Sequence, residues 1–463
     1  MRPGARIAAA IEILVEVTER HRPVSLALAD WGKAHRFAGS GDRAAIGNLV
    51  YDALRRRASI AFAMGADTPR AVALGAAPDA FALPPSEIVT MCTGADHAPE
   101  PLGEREILGL TRPPDNAPSH IEADVPEWLW PDFERAFGSR AVAEGRALAR
   151  RAPADLRVNT LRATRERVMK SLASFAPADC ALSPIGVRIA APTGPSRTPN
   201  LQAEAAFQAG WFEGQDEGSQ LAALLAGAGP RLQVLDLCAG AGGKTLAMSA
   251  AMQNTGQIYA YDDDRERLKA IFERIKRAAT RNIQVLRARD KAALAALGDR
   301  FDVVLVDAPC TGTGVWRRRP EAKWRLKPAN LQSRLAEQVA VLDTAACHVK
   351  PGGRIVYVTC SLLPAENTEQ VAAFLSRHAD FRILPFAEVW AAAMPETTAP
   401  ASADGSAETL LLTPASHGTD GFFVAILERQ PAATVSDTRV SDTGLPRHDG
   451  DTTVSDTRGD TSL

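Results

Sequence analysis

Cys310 closes the run Asp307-Ala308-Pro309-Cys310, and Cys360 lies in Thr359-Cys360-Ser361; each follows an apolar stretch with strand character. A thiolate is intrinsically very nucleophilic, and two thiols beside an Asp suit one reaction well. Carbon-5 of a cytosine is a poor nucleophile. Addition of a thiolate to carbon-6, with a proton held at ring nitrogen N3, makes the ring an enamine whose carbon-5 attacks a methyl sulfonium. The carbon-5 proton must then leave so that the thiolate is expelled, and a second group assists that release. One cysteine would be the nucleophile, the other would serve release, and Asp307 would hold the N3 edge; spacing does not say which cysteine is which. Buried cysteines at strand ends are commonly inert, the reading taken for Cys92, Cys180 and Cys347, while Cys238 is expected to offer only backbone contact to a cofactor.

The second chemistry-bearing stretch is VLDLCAGAGGKTLA, Val234 to Ala247. A phosphate-gripping loop needs a Gly five places before its Gly-Lys, and Cys238 holds that place. Gly240, Gly242 and Gly243 instead make a tight turn of the kind that lays a cofactor against a strand end. A Rossmann-like site also uses an acid about 20 residues beyond the glycines to accept ribose hydroxyls. Asp262, the first acid of IYAYDDDRERL, meets that requirement. NAD and S-adenosylmethionine are both compatible with glycines plus acid. An amine methyltransferase would prefer Pro-Pro-aromatic after the acid at the fourth strand, where this chain has Ala-Pro-Cys.

These residues need a scaffold that brings several strand ends to one rim. From Arg231 to about Arg429 the pattern alternates, with strands expected at 233–237, 257–261, 283–287, 302–306 and 353–359, helices between them, and a late strand near GFFVAILER. Such alternation means a mainly parallel sheet covered on both faces, with ligands at the strand carboxyl ends. Upstream, Ile7, Ile11, Leu14 and Val15, and again Ile46, Leu49, Val50 and Leu54 after a cap at Asp42, give helical spacing. Residues 60 to 125, rich in Ala, Pro and Gly, suggest short helices and loops. LRVNTLR (Leu156–Arg162) alternates like a strand and precedes a helix reaching about Ala173.

A chain of 463 residues is too long for one ordinary core, and its six cysteines form no CxxC pair or zinc spacing. A reduced, cytoplasmic, soluble protein without a metal and without a membrane anchor is expected. The net charge of −2 argues at first against a nucleic-acid partner, but residues 431–463 carry six Asp and three Arg, and without them the balance is +1. Their repeats, VSDTR, VSDT and VSDTR, are polar and nearly free of large apolar residues, so this tail is expected to be disordered and dispensable for chemistry. Basic residues cluster at Arg55–Arg57 and in RRRPEAKWRLK, where Arg317, Arg318, Arg319 and Lys323 follow Cys310 closely enough to meet phosphates beside a flipped cytosine. Trp316 would stack on bases or pack, and Trp324 is read as packing.

RVNTLR, GQDEGSQ, VLDLCAGAGGKT, DAPCTGTGVWRRRPEAKW and GGRIVYVTCSLLPAEN together resemble the Sun/Nop-type S-adenosylmethionine-dependent RNA (cytosine-5) methyltransferases over about residues 1–430. The resemblance implies an α/β fold: a class I, Rossmann-like methyltransferase domain at 229–430, preceded by an all-α NusB-like RNA-binding domain at 1–125 and a small α+β RNA-binding segment at 126–228. It implies that Cys360 is the nucleophile and that Cys310 assists release. It also implies that Cys238, Ala239, Gly240, Ala241, Gly242, Gly243, Lys244, Asp262, Asp290 and Asp307 line the S-adenosylmethionine site, with Asp290 near the adenine. The sequence departs from the family at Ala241, usually Pro, and NusB-like character is carried by SGDRAAIGNLVYDALRRR rather than by residues 60–120. The implied activity is RNA cytosine-5 methylation by a monomer, with 16S ribosomal RNA, free or in an assembling small subunit, expected as target. Transfer RNA methylation and a non-catalytic RNA-binding assembly factor are the alternatives.

Overall fold

A computed structural model describes residues 1–112 and 114–431; the expected tail, apart from Pro431, lies outside the described residues. Nothing among the described helices is long and apolar enough to cross a membrane.

The large sheet contains β5 (Gln233–Asp236), β6 (Gln257–Ala260), β7 (Ile283–Val285), β8 (Phe301–Asp307), β9 (Val349–Thr359), β10 (Phe381–Leu384), β11 (Leu410–Leu412) and β12 (Phe422–Arg429); a smaller sheet upstream holds β1 to β4. Its order is β10-β12-β9-β8-β5-β6-β7, with β11 paired to β12. The five strands β5 to β9 run parallel, while β12 is antiparallel to β9. This is a doubly wound sheet whose order reverses between β5 and β8, the place where such sheets bind ligands. In β8, Val304 and Val306 enter the core on one face and Val303 and Leu305 that on the other, all fully buried. Burial on both faces is what a helix-covered parallel sheet demands. The five expected parallel strands are present within a few residues. Missing from the sequence reading are the short strands β10 and β11, too brief to show alternation, and both pair with β12.

The smaller sheet has the order β2-β3-β1-β4, with β1 at Ala154–Val158, β2 at Ala178–Asp179, β3 at Gly186–Ile189 and β4 at Phe212–Gly214, and with all its pairs antiparallel. The strand expected over LRVNTLR stops at Val158. There the Asn159 side-chain amide turns into the protein and donates to the carbonyls of Gly210 and Ala278 at 2.9 and 3.0 Å. The helix Arg165–Ser171 then starts at a Thr164 cap. Before β1 the chain is helical, from Pro3–Thr18 to Ala141–Leu148. Residues 57–122, poorly patterned in sequence, form five helices of four to thirteen residues. Asp42 is not the cap of its helix but lies three residues inside it, and its carboxylate accepts the Gly39 N–H at 3.2 Å.

Candidate active site

The glycine turn leaves β5 and enters the helix Gly243–Ala251. Gly242 sits at φ 80°, and a Cβ there would lie 2.4 Å from Ile271, so only glycine lets the turn close against the helix Arg265–Ala278. Lys244 does not reach out as a phosphate-binding lysine would. Its buried ammonium lies 2.7 Å from Asp307 Oδ2 and 5.2 Å from the centre of the Phe422 ring. Asp236, at the end of β5, is 1% exposed; Thr245 donates to one of its oxygens at 2.6 Å and the other has no partner, so burial pushes its carboxyl up to about 7.

Asp262 lies two residues beyond the end of β6, and its carboxylate is held in place: Oδ2 accepts the Gly240 N–H at 2.8 Å and Oδ1 the Asp264 N–H at 2.7 Å. A carboxylate has about four lone-pair sites, so two remain for hydroxyl donors. A cavity of about 850 Å³ opens here, lined by Leu237, Cys238, Asp262, Asp263, Leu294 and Pro309 among others. Asp290 uses Oδ1 to cap the helix Lys291–Ala295 through the Ala293 N–H, at 2.9 Å. Cys238 is raised well above an ordinary thiol by burial and by the carboxylates of Asp262 and Asp236, which suits a backbone role.

The two cysteines meet. Parallel pairing of β8 with β9 brings Cys310 and Cys360, 50 residues apart in sequence, to a Sγ–Sγ distance of 3.4 Å. The hydrogen bond with Cys360, then burial, raise the Cys310 thiol well above its usual range. The loops bearing the pair are tied by Glu366, a fully buried acid in LLPAEN that the sequence reading passed over; its only signal there is an acid inside an otherwise apolar and small segment.

The basic cluster behaves differently from expectation. Arg317 is buried and bonded to Asp420 and Asp216, and Lys323 is buried with its ammonium on the carbonyls of Arg55 and Asp124 at 2.8 and 2.7 Å. Burial lowers the Lys323 amine to about 8. So placed, Arg317 is held on carboxylates and Lys323 on carbonyls rather than presented to solvent. Arg318 is half-buried and shares Asp216 and Asp420, also donating to the Pro153 carbonyl at 2.9 Å. Of the four, Arg319 alone is exposed, and it has no acid partner among the described residues. Trp316, 1% exposed, stacks on Phe133, whereas Trp324 packs against the amino-terminal core and donates to the Leu54 carbonyl at 2.6 Å.

A parallel-to-antiparallel sheet with a glycine turn, a ribose-suited acid and a strand-end acid at its switch point defines a class I, Rossmann-like methyltransferase fold. Residues 224–428 match the family described as 16S rRNA methyltransferase RsmB/F, and residues 125–194 match the ferredoxin-like domain of the RsmF/B-like methyltransferases. The chain belongs to this RsmB/F family of RNA methyltransferases. It is 33% identical over 311 residues to a probable ribosomal RNA small subunit methyltransferase B of Synechocystis, covering 66% of each chain. It is also 36% identical to the ribosomal RNA small subunit methyltransferase B of Serratia proteamaculans, over 56% of this chain and 59% of that protein. These matches thus span about two thirds or less of the relatives' length. The solved structure of PH0851 is similar over 93% of this chain and 99% of its own, at 25% identity and a TM-score of 0.70.

Proposed function

We propose that the protein methylates carbon-5 of a cytosine in RNA, with 16S ribosomal RNA as its target and S-adenosylmethionine as methyl donor. The observation that carries this reading is the thiol pair 3.4 Å apart, at the rim that also holds the Lys244–Asp307 ion pair. The residues present fit the donor. A cavity of about 850 Å³ lies within the roughly 300–1,000 Å³ of small-molecule sites, and Asp262 has lone pairs left for a ribose. Cys238 to Lys244, Asp262, Asp290 and Asp307 would hold S-adenosylmethionine, which when bound supplies an electrophilic methyl group.

Cys360 is assigned as the nucleophile that adds to carbon-6 of the base, the role that the family resemblance of its Thr359-Cys360-Ser361 motif implies. Asp307 is one-third exposed and has Oδ1 unused among the described residues, so it can engage the N3 edge while Lys244 holds Oδ2. Cys310, beside the departing Cys360, serves removal of the carbon-5 proton and release of the thiolate.

RNA would approach over a cavity of about 780 Å³ between the helix Ser40–Arg55 and the loop near Arg197, where Arg43, Arg55, Arg151 and Arg197 gather. Arg55 and Arg151 share the single carboxylate of Asp52, and Arg43 and Arg197 carry no acid partner among the described residues, so the walls are net positive. Arg319 would add an exposed cation. A base to be methylated must leave its stack, at a cost of a few kcal/mol, which favours loops and exposed helix ends. Labelled methyl transfer to 16S transcripts tests the reading; labelling of transfer RNA alone would overturn the target, and no labelling of any RNA would overturn the activity.

A further inference from the structure

Glu366 is fully buried, yet no Lys or Arg pairs with it among the described residues. Burying a carboxylate without a cation is costly unless hydrogen bonds replace its hydration. Four donors do so here. Oε1 accepts the Thr311 N–H at 2.8 Å and the Gln338 amide at 3.1 Å, and Oε2 accepts the hydroxyls of Thr311 and Ser361. Thr311 follows Cys310 and Ser361 follows Cys360. The same Gln338 amide donates to the Pro309 carbonyl at 2.9 Å, so the residues on both sides of Cys310 are held. Asn367 does likewise around Cys360, accepting from the Thr359 hydroxyl at 2.6 Å and donating to the Ser361 carbonyl at 2.9 Å.

We propose that Glu366 is the positioning residue of the thiol pair: its carboxylate clasps the residue after each cysteine, fixes the separation of Cys310 and Cys360, and places its charge beside Cys310. The proposal rests on the reading of the cysteines as the reacting groups. An apolar side chain would fill the space at less cost in charge burial, but would leave two hydroxyls, an amide N–H and a side-chain amide without an acceptor and the loops free to part. The groups facing Cys310 are the Cys360 thiol, the Glu366 carboxylate and the Tyr357 hydroxyl, the last raised first by burial. Tyr357 donates to the Glu366 carbonyl at 2.7 Å, and the nearby Lys244 ammonium is committed to Asp307. The Glu366 carboxylate's charge opposes ionisation of Cys310.

The test uses the full chain and two variants, Glu366→Gln and Glu366→Ala. Glutamine keeps the shape and one acceptor oxygen, and the two hydroxyls can rotate to accept from its amide, so it removes charge while sparing much of the clasp; alanine removes both. Iodoacetamide labelling at pH 9 without RNA, assigned to each cysteine by mass spectrometry, reads the thiols directly. Removing a nearby like charge favours the thiolate, so Cys310 in Glu366→Gln should label about tenfold faster than in wild type. With RNA, Glu366→Ala should lose about a hundredfold in kcat at unchanged S-adenosylmethionine affinity, and Glu366→Gln should lose less. Should the alanine variant fail to fold, the glutamine variant decides. Wild-type labelling rates and kcat in a folded Glu366→Gln would overturn the proposal. If wild type methylated no RNA while Cys310 labelling still accelerated, the methyltransfer reading would fall and the positioning role would stand.

Discussion

Arg317→Ala separates a structural arginine from an RNA contact. The side chain is 6% exposed and bonds Asp420, Asp216 at 3.4 Å and the Gly418 carbonyl at 3.3 Å. Removing one partner of a buried ion pair costs about 3–5 kcal/mol, because the remaining charge is left in a poor solvent. Arg318 stays beside both carboxylates and holds the loss near the lower figure, about 3 kcal/mol. Asp216 already has its carboxyl pushed up to about 6 from 3.8, first by burial and then by Asp420. A folded-state value above the unfolded one means that the folded form holds the proton more tightly, so stability is lost as pH rises through about 4 to 6. Without Arg317 that window extends upward, and the defect should be deeper at pH 8 than at pH 5. Urea unfolding at the two pH values measures this, alongside RNA affinity as a function of salt. Arg317→Ala should lower stability and leave the salt slope unchanged, whereas Arg319→Ala should leave stability within about 0.5 kcal/mol and flatten the slope by about one counterion. An Arg317→Ala protein as stable as wild type, with a flattened slope, would refute the structural assignment.

Asp262→Ala should weaken S-adenosylmethionine by about 1.5–3 kcal/mol in calorimetry, the worth of a charged hydrogen bond, and wild-type affinity would exclude the ribose role. Asp236→Asn should gain stability over wild type as pH rises from about 4 to 7, because the folded value of about 7 lies above the unfolded 3.8 and ionising the buried acid destabilises the fold. The gap is at most about 4 kcal/mol at pH 8, and parallel pH–stability curves for the two proteins would contradict it. Lys244→Met frees Asp307 from its ion pair and should reduce methyl transfer to 16S transcripts; full turnover in this variant would show that the pair does not hold Asp307 for catalysis.

The large sheet was legible because its strands repeat the period of burial. Val303 to Val306 are all apolar, as a strand covered on both faces must be, and glycine and acid follow the first two strands at the required spacing. That Cys310 and Cys360 meet also follows from parallel strands ending at one rim. The fate of Arg317 and Lys323 was not legible, since their partners come from far along the chain: Asp216 and Asp420 lie about a hundred residues to either side, and the Arg55 and Asp124 carbonyls come from the amino-terminal helices. A basic run looks the same in sequence whether water or buried carboxylates neutralise it. Glu366 was hidden for a related reason. Its donors are the hydroxyls of Thr311 and Ser361, the Thr311 N–H and the distant Gln338 amide, and nothing in the linear pattern marks a carboxylate that is satisfied without a cation.

The most direct measurement traps the reaction midway. Cys310→Ala protein, incubated with total RNA and S-adenosylmethionine and then denatured, should carry RNA joined covalently through Cys360, and the adduct should vanish in the Cys310→Ala, Cys360→Ala double variant; sequencing the trapped RNA should return 16S ribosomal RNA. An adduct that survives loss of Cys360, or none at all from an enzyme whose wild type methylates RNA, would contradict the roles assigned to the two thiols.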